Sequence, residues 1–110
     1  MIALTLALLA QAPIPPPVPV AAPPRPAEEI FMDKCKVCHG EDGKGRTPKG
    51  RKLKAENFTS PKWQQHMSDE AILKAITFGI PKHKMPAFKA KLTPEEIRSL
   101  VPYLRKFAGR

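Results

Sequence analysis

The sequence predicts an all-α fold, three main helices and loops around a centre that the helices alone do not fill. Three stretches place apolar residues at helical spacing between recognisable start and stop residues. No stretch alternates apolar and polar residues over a useful length, as a half-buried strand does, and no internal repeat appears. The helices are short, and residues 41–65 between the first two read as one polar loop, so a domain of this size needs a disulfide, a metal or a cofactor to complete its core.

The 110 residues divide by composition. Eight of the fourteen prolines precede Ala27, so residues 13–26 read as an extended, polyproline-like linker without a core. Residues 1–12, "MIALTLALLAQA", are an apolar run shorter than the about 20 residues that cross a bilayer. Its length and the small residues Ala10 and Ala12 fit a cleavable signal peptide, although no Lys or Arg precedes the run; the alternative is a weak anchor at a membrane surface. Residues 27–110 are then the folded unit, exported to a periplasmic or other extracytoplasmic compartment. Nineteen Lys and Arg against ten Asp and Glu give a net charge of +9. Arg25 is the only charged residue ahead of the domain, which therefore keeps +8 and suits acidic partners or anionic surfaces.

The first helix begins at Pro26, with Glu28 and Glu29 in the first turn, where the helix dipole favours them. Ala27, Ile30, Phe31, Cys35 and Cys38 share its apolar face. The second reads "MSDEAILKAITFG", with Ser68 as N-cap, Met67 stapled onto Ile72, Gly79 as the stop and Ile72, Ala75 and Ile76 facing inward. The third, "TPEEIRSLVPYLRKF", opens with Thr93 and Glu96 as a capping box and Pro94 at the first helical position. Ile97, Leu100, Val101, Leu104 and Phe107 form its stripe. Pro102 removes one internal hydrogen bond, but it shares a face with Arg98, Arg105 and Lys106, so water can satisfy the orphan carbonyl and the helix only bends.

The middle is filled by the chemistry of "CKVCH". Cys35, Cys38 and His39 form Cys-x-x-Cys-His, the attachment signature of c-type haem. On helical turns residues three and four apart are neighbours, so two thiols and one imidazole can address a single flat macrocycle. The thiols become thioethers and the His39 ring reaches the iron from one side. A zinc site wants four ligands and finds no second cysteine pair, thioredoxin-like chemistry lacks its α/β setting, and a Cys35–Cys38 disulfide closes a loop too small to stabilise much.

With these residues in place, residues 27–110 resemble a small monohaem class I cytochrome c. The segments "IFMDKCKVCHGEDGKG", "MSDEAILKAITFGIPKHKMPAF" and "LTPEEIRSLVPYLRKF" are similar to that family in order and spacing. The resemblance implies one covalent haem c enclosed by the three helices and loops. It implies that the first and last helices cross beside the haem, with Ala27, Phe31, Leu100 and Tyr103 at the crossing, where Ala27 replaces a more usual glycine. It makes Met85, in "KMPAF", the distal iron ligand; a thioether favours ferrous iron and raises the reduction potential. It further implies that the Pro48 carbonyl accepts the His39 ring N–H and that the Trp63 indole donates to a haem propionate. On residue type alone Pro48 is also a turn former, Trp63 a core filler, and His83 a second candidate for the sixth position.

Several other signals are weaker. "GEDGKGRT" resembles a phosphate loop but has Arg46 where lysine is needed and no strand before it, so Gly40, Gly43 and Gly45 are read as turn formers. Arg46, Lys49, Arg51, Lys52 and Lys54 lack interleaved aromatics and a reading element, so no nucleic acid is expected. With Lys36, Lys82, Lys84, Lys89 and Lys91 they are read as a rim that steers acidic redox proteins. Met32 and Met67 are packing residues and His66 is solvated. The function expected is a monomeric single-electron carrier between extracytoplasmic partners. The alternatives are a tethered haem subunit of an oxidoreductase complex, and a haem enzyme or sensor with an open sixth position.

Overall fold

A computed structural model describes residues 1–17 and 22–110; residues 18–21 of the proline-rich segment lie outside the described residues. Residues 1–17 are exposed and non-helical, and among the described residues no helix is long and apolar enough to cross a membrane. The ordered elements are α1 (Ala27–Ile30), a π-helical turn (Phe31–Cys35), α2 (Lys36–His39), α3 (Pro48–Leu53), α4 (Pro61–His66), α5 (Asp69–Phe78), a 3₁₀ turn (Pro81–His83) and α6 (Pro94–Arg105).

The first predicted helix is present but is interrupted by the π turn, where the Lys36 N–H bonds to the Phe31 carbonyl. Such a turn carries one extra residue and rotates the next segment of the helix, a feature common at functional sites. Ile30 and Phe31 are fully buried. Phe31 packs on Tyr103 and Phe107 of the α6 end, both at 5.2 Å between ring centroids, so α1 crosses α6 at the aromatic residues expected there. Ala27 and Leu100 join the same core.

α5 and α6 form as their caps dictate. Ser68 accepts the Ala71 N–H, Gly79 ends α5 at φ 75°, and Ile72 and Ile76 are buried. In α6 the Thr93 hydroxyl accepts the Glu96 N–H while the Glu96 carboxylate accepts the Thr93 N–H at 2.9 Å, a complete capping box. The helix runs on through an exposed Pro102. Arg105, by contrast, is tied down: its guanidinium donates to the Gln64 and Met67 carbonyls and pairs with Asp69 at 2.9 Å, fastening the end of α6 to α4 and α5.

The long loop of residues 41–65 is not one loop. Thr47 and Ser60 each accept a backbone N–H as N-caps, and Pro48 and Pro61 open α3 and α4. The two helices are only six residues long and mostly polar, so they show no apolar stripe. Gly50 is what lets α3 pack on α2, because a Cβ built there would stand 2.0 Å from the Cys38 carbonyl oxygen. Since backbone rather than a flexible side chain is struck, Gly50→Ala is expected to cost about 2–3 kcal/mol in urea unfolding of the intact protein.

Arg25, placed in the linker by composition, belongs to the folded unit. Its N–H donates to Glu96 at 3.0 Å, and its guanidinium pairs with Glu29 and Asp33. Hydrogen bonds from the Thr93 N–H and then the Arg25 N–H hold the buried Glu96 carboxyl below the ordinary glutamate value of 4.5. A depressed carboxyl stabilises the fold fully above its unfolded value and loses that contribution as pH falls through the lower folded value. Glu96→Gln should therefore lower Tm at neutral pH, and the gap to the parent should close in acid below about 4.5.

Candidate haem-binding site

α2, the end of α3, α5, the hairpin after α5 and α6 enclose one cleft. Cys35, Cys38, His39 and Met85 all line it, within apolar walls supplied by Phe58, Ile76, Ile80, Phe88, Leu100 and Leu104. The π turn sets Cys35 as the residue that caps α2, so both cysteines and His39 open into the same space. Both thiols are free. Burial first, with the Cys38 thiol and Asp33 adding to it, pushes the Cys35 thiol up to about 12, so it stays protonated at neutral pH.

The His39 ring stacks on Phe58 at 4.2 Å, and burial pushes its imidazole below the ordinary value although a backbone bond opposes this. The ring is therefore neutral at physiological pH. Its Nδ1 lies 3.1 Å from the Glu56 carbonyl. A carbonyl can only accept, so Nδ1 carries the proton and Nε2 keeps a lone pair for a metal.

Two expected partners stand elsewhere. The carbonyl that takes the His39 N–H is that of Glu56, whereas Pro48 is the exposed first residue of α3 and does not line the cleft. The reason is local: the α3 turn and its left-handed cap at Lys54 (φ 57°) carry the chain back, which sets the Glu56 carbonyl against His39. Trp63 packs against Phe58 at 4.8 Å and lies outside the cleft lining, the core position that its residue type also allowed.

Met85 is presented by a hairpin in which Ile80 and Met85 form an antiparallel bridge. The hairpin lies close under Gly79, where a Cβ would meet the Met85 carbonyl at 2.6 Å. His83 also lines the cleft, but its Nδ1 is engaged 3.2 Å from the Leu53 carbonyl. Lys34, Lys49, Lys54 and Lys84 reach the cleft as well, which puts part of the expected basic rim at its mouth.

A neutral imidazole, a soft thioether, two thiols at helical spacing and apolar walls fit a haem and define a class I c-type cytochrome. The chain belongs to the family described as cytochrome c oxidase, cbb3-type, subunit III, which it matches over residues 22–104. It is 32% identical over 82 residues to the cbb3-type cytochrome c oxidase subunit FixP of Bradyrhizobium diazoefficiens, covering 74% of this chain and 27% of that protein. It is 35% identical over 83 residues to subunit CcoP of Cereibacter sphaeroides, covering 73% and 26%. The chain thus spans about a quarter of the length of these relatives. Among solved structures it is similar to the KustC0563 c-type cytochrome, with 43% identity and a TM-score of 0.70 over 74% of this chain and 96% of that one. A subunit of the Kuenenia stuttgartiensis reducing HAO-like protein complex Kustc0457/Kustc0458 is 28% identical at a TM-score of 0.60, covering 74% of this chain and 41% of that one. As a c-type cytochrome, the protein carries covalently bound haem c.

Proposed function

We propose that the chain is the electron-transfer domain of a cbb3-oxidase-like or related oxidoreductase assembly, tethered through its proline-rich segment on the extracytoplasmic side. The observation that carries this reading is the apolar cleft lined together by Cys35, Cys38, His39 and Met85. Cys35 and Cys38 would hold the haem as thioethers, and His39 Nε2 and Met85 Sδ would be the donors to its iron. The haem supplies one-electron chemistry at its iron. The chain's own residues fix its place: the Glu56 carbonyl sets the His39 tautomer, Phe58 braces the ring, and the apolar walls keep water from the centre. With two side-chain donors to the iron, small molecules would be kept from it, which favours outer-sphere transfer over oxygen activation.

Membership of an oxidase-subunit family and the likeness to a domain within a multi-subunit complex favour the tethered reading over a free shuttle. The KustC0563 cytochrome, matched over 96% of its length, supports the free carrier as a second reading. Exposed Val37, beside the attachment cysteines, with Lys34, Lys49, Lys54 and Lys84 around the cleft, offers an apolar centre and basic rim for an acidic protein partner.

The test is production of the full chain with a haem-attachment system, followed by intact mass and a reversible redox titration. One covalent haem and a single one-electron wave are expected; a colourless chain refutes the site. Affinity purification from native membranes then separates the two settings. Recovery with a stoichiometric oxidase complex supports the tether, and recovery alone in the soluble extracytoplasmic fraction supports the shuttle.

A further inference from the structure

The hairpin that carries Met85 is fastened mostly to itself. Ile80 and Met85 exchange backbone hydrogen bonds of 3.0 and 3.2 Å, and within the turn the His83 and Lys84 N–H groups return to the Ile80 and Pro81 carbonyls, each at 3.0 Å. Its base is held where the Phe88 N–H meets the Ile76 carbonyl. Among the described residues, the side-chain hydrogen bond from its tip to the rest of the domain is that of His83 Nδ1 to the Leu53 carbonyl, 3.2 Å. Since the carbonyl only accepts, His83 donates.

Leu53 ends α3, and Glu56, whose carbonyl takes the His39 N–H, comes three residues later. Residues 53–56 therefore act as one strap that receives an imidazole N–H from each side of the site. The strap is itself fixed by the Ala55 N–H on the Gly50 carbonyl at 2.8 Å and by the left-handed turn at Lys54. Charge works against this closure. Lys52 and Lys54 on the strap side share a groove with Lys82 and Lys84 on the hairpin side, and none of the four pairs with a carboxylate among the described residues. Like charges so placed push the hairpin away from the strap.

We propose that His83 is a positioning residue, whose Nδ1–H on the Leu53 carbonyl latches the Met85 hairpin to the strap that also orients His39, holding the thioether in place against lysine repulsion. This rests on the His39 and Met85 ligation proposed above. The sequence left His83 open as a rival ligand; the geometry gives its Nδ1 a task on the backbone, and because Nε2 keeps a lone pair as it does in His39, the charge-transfer band of the variants separates the two roles.

The holoprotein is compared with His83→Ala and with His83→Asn, whose amide nitrogen stands near the position of Nδ1. A ferric thioether charge-transfer band in the parent is the first readout, and its absence overturns the ligation reading itself. With the band present, the rate of carbon monoxide binding to the ferrous protein reports how often the sixth position opens. His83→Ala is expected to bind about five- to tenfold faster at low salt, the population change that one net hydrogen bond sets. High salt, which screens the lysine repulsion, should slow binding in the parent and the variants alike. His83→Asn should return to within about twofold of the parent, since it restores the donor. A His83→Ala rate equal to the parent's, rates that high salt does not lower, or an asparagine variant as fast as the alanine variant overturns the latch.

Discussion

Replacing Cys35 and Cys38 together by alanine should give a colourless polypeptide with little far-UV helical signal and no cooperative melt. The reason lies in the core. Its buried apolar residues include Phe58, Ile76, Phe88, Leu100 and Leu104, and each of these also lines the cleft. Those five side chains pack into the core and also form the apolar wall against which the macrocycle would lie. Without it, the domain forgoes the apolar area that the macrocycle would bury against this wall, a contribution that offsets chain entropy. Small domains have little margin for that loss, because net stability is typically about 5–15 kcal/mol. Each single variant should retain one thioether and fold with lower stability, which intact mass and thermal melting separate from the double variant. A double variant that stayed helical and melted cooperatively without pigment would show that the cleft is only a surface feature.

The same dependence explains which parts of the structure were legible in the sequence. α5 and α6 were readable because their ends are written in side chains: Ser68 and Gly79 for one, the Thr93–Glu96 box and Pro94 for the other. The attachment site was readable because covalent chemistry needs particular residue types at fixed spacing. α3 and α4 carry the same cap and proline signals, Thr47–Pro48 and Ser60–Pro61, but their six-residue length gives no periodicity to weigh. The His39 partner was not legible because it is a backbone carbonyl, which every residue possesses. Only the path of the chain after α3 decides that it comes from Glu56 and not Pro48. The role of Gly50 was hidden for a related reason, since its neighbour is the Cys38 carbonyl. The π turn needs no special residue type and so leaves no mark in composition. The place of Arg25 was obscured by its proline neighbours, although Glu29 at i+4 is a signal that could have drawn it into the domain.

Met85→Ala should change the electronic state of the centre while leaving the fold in place. Met85 is only partly buried and its hairpin is held by backbone bonds from Ile80, so loss of the side chain removes a ligand without removing the support of the loop. A neutral thioether favours the ferrous state, and its replacement by water or nitrogen favours the ferric state. The reduction potential is therefore expected to fall by roughly 100 mV or more, equivalent to about fiftyfold in the one-electron equilibrium. The ferric thioether charge-transfer band should vanish, and the ferrous protein should bind carbon monoxide at a rate no longer limited by loop opening. His83→Ala should keep the band, because His83 acts on the hairpin and not on the iron. If the band survived loss of Met85 and vanished with loss of His83, the assignment of sulfur to the sixth position would fall. His83 would then ligate through Nε2, with its Nδ1–H on the Leu53 carbonyl fixing the tautomer as the Glu56 carbonyl does for His39.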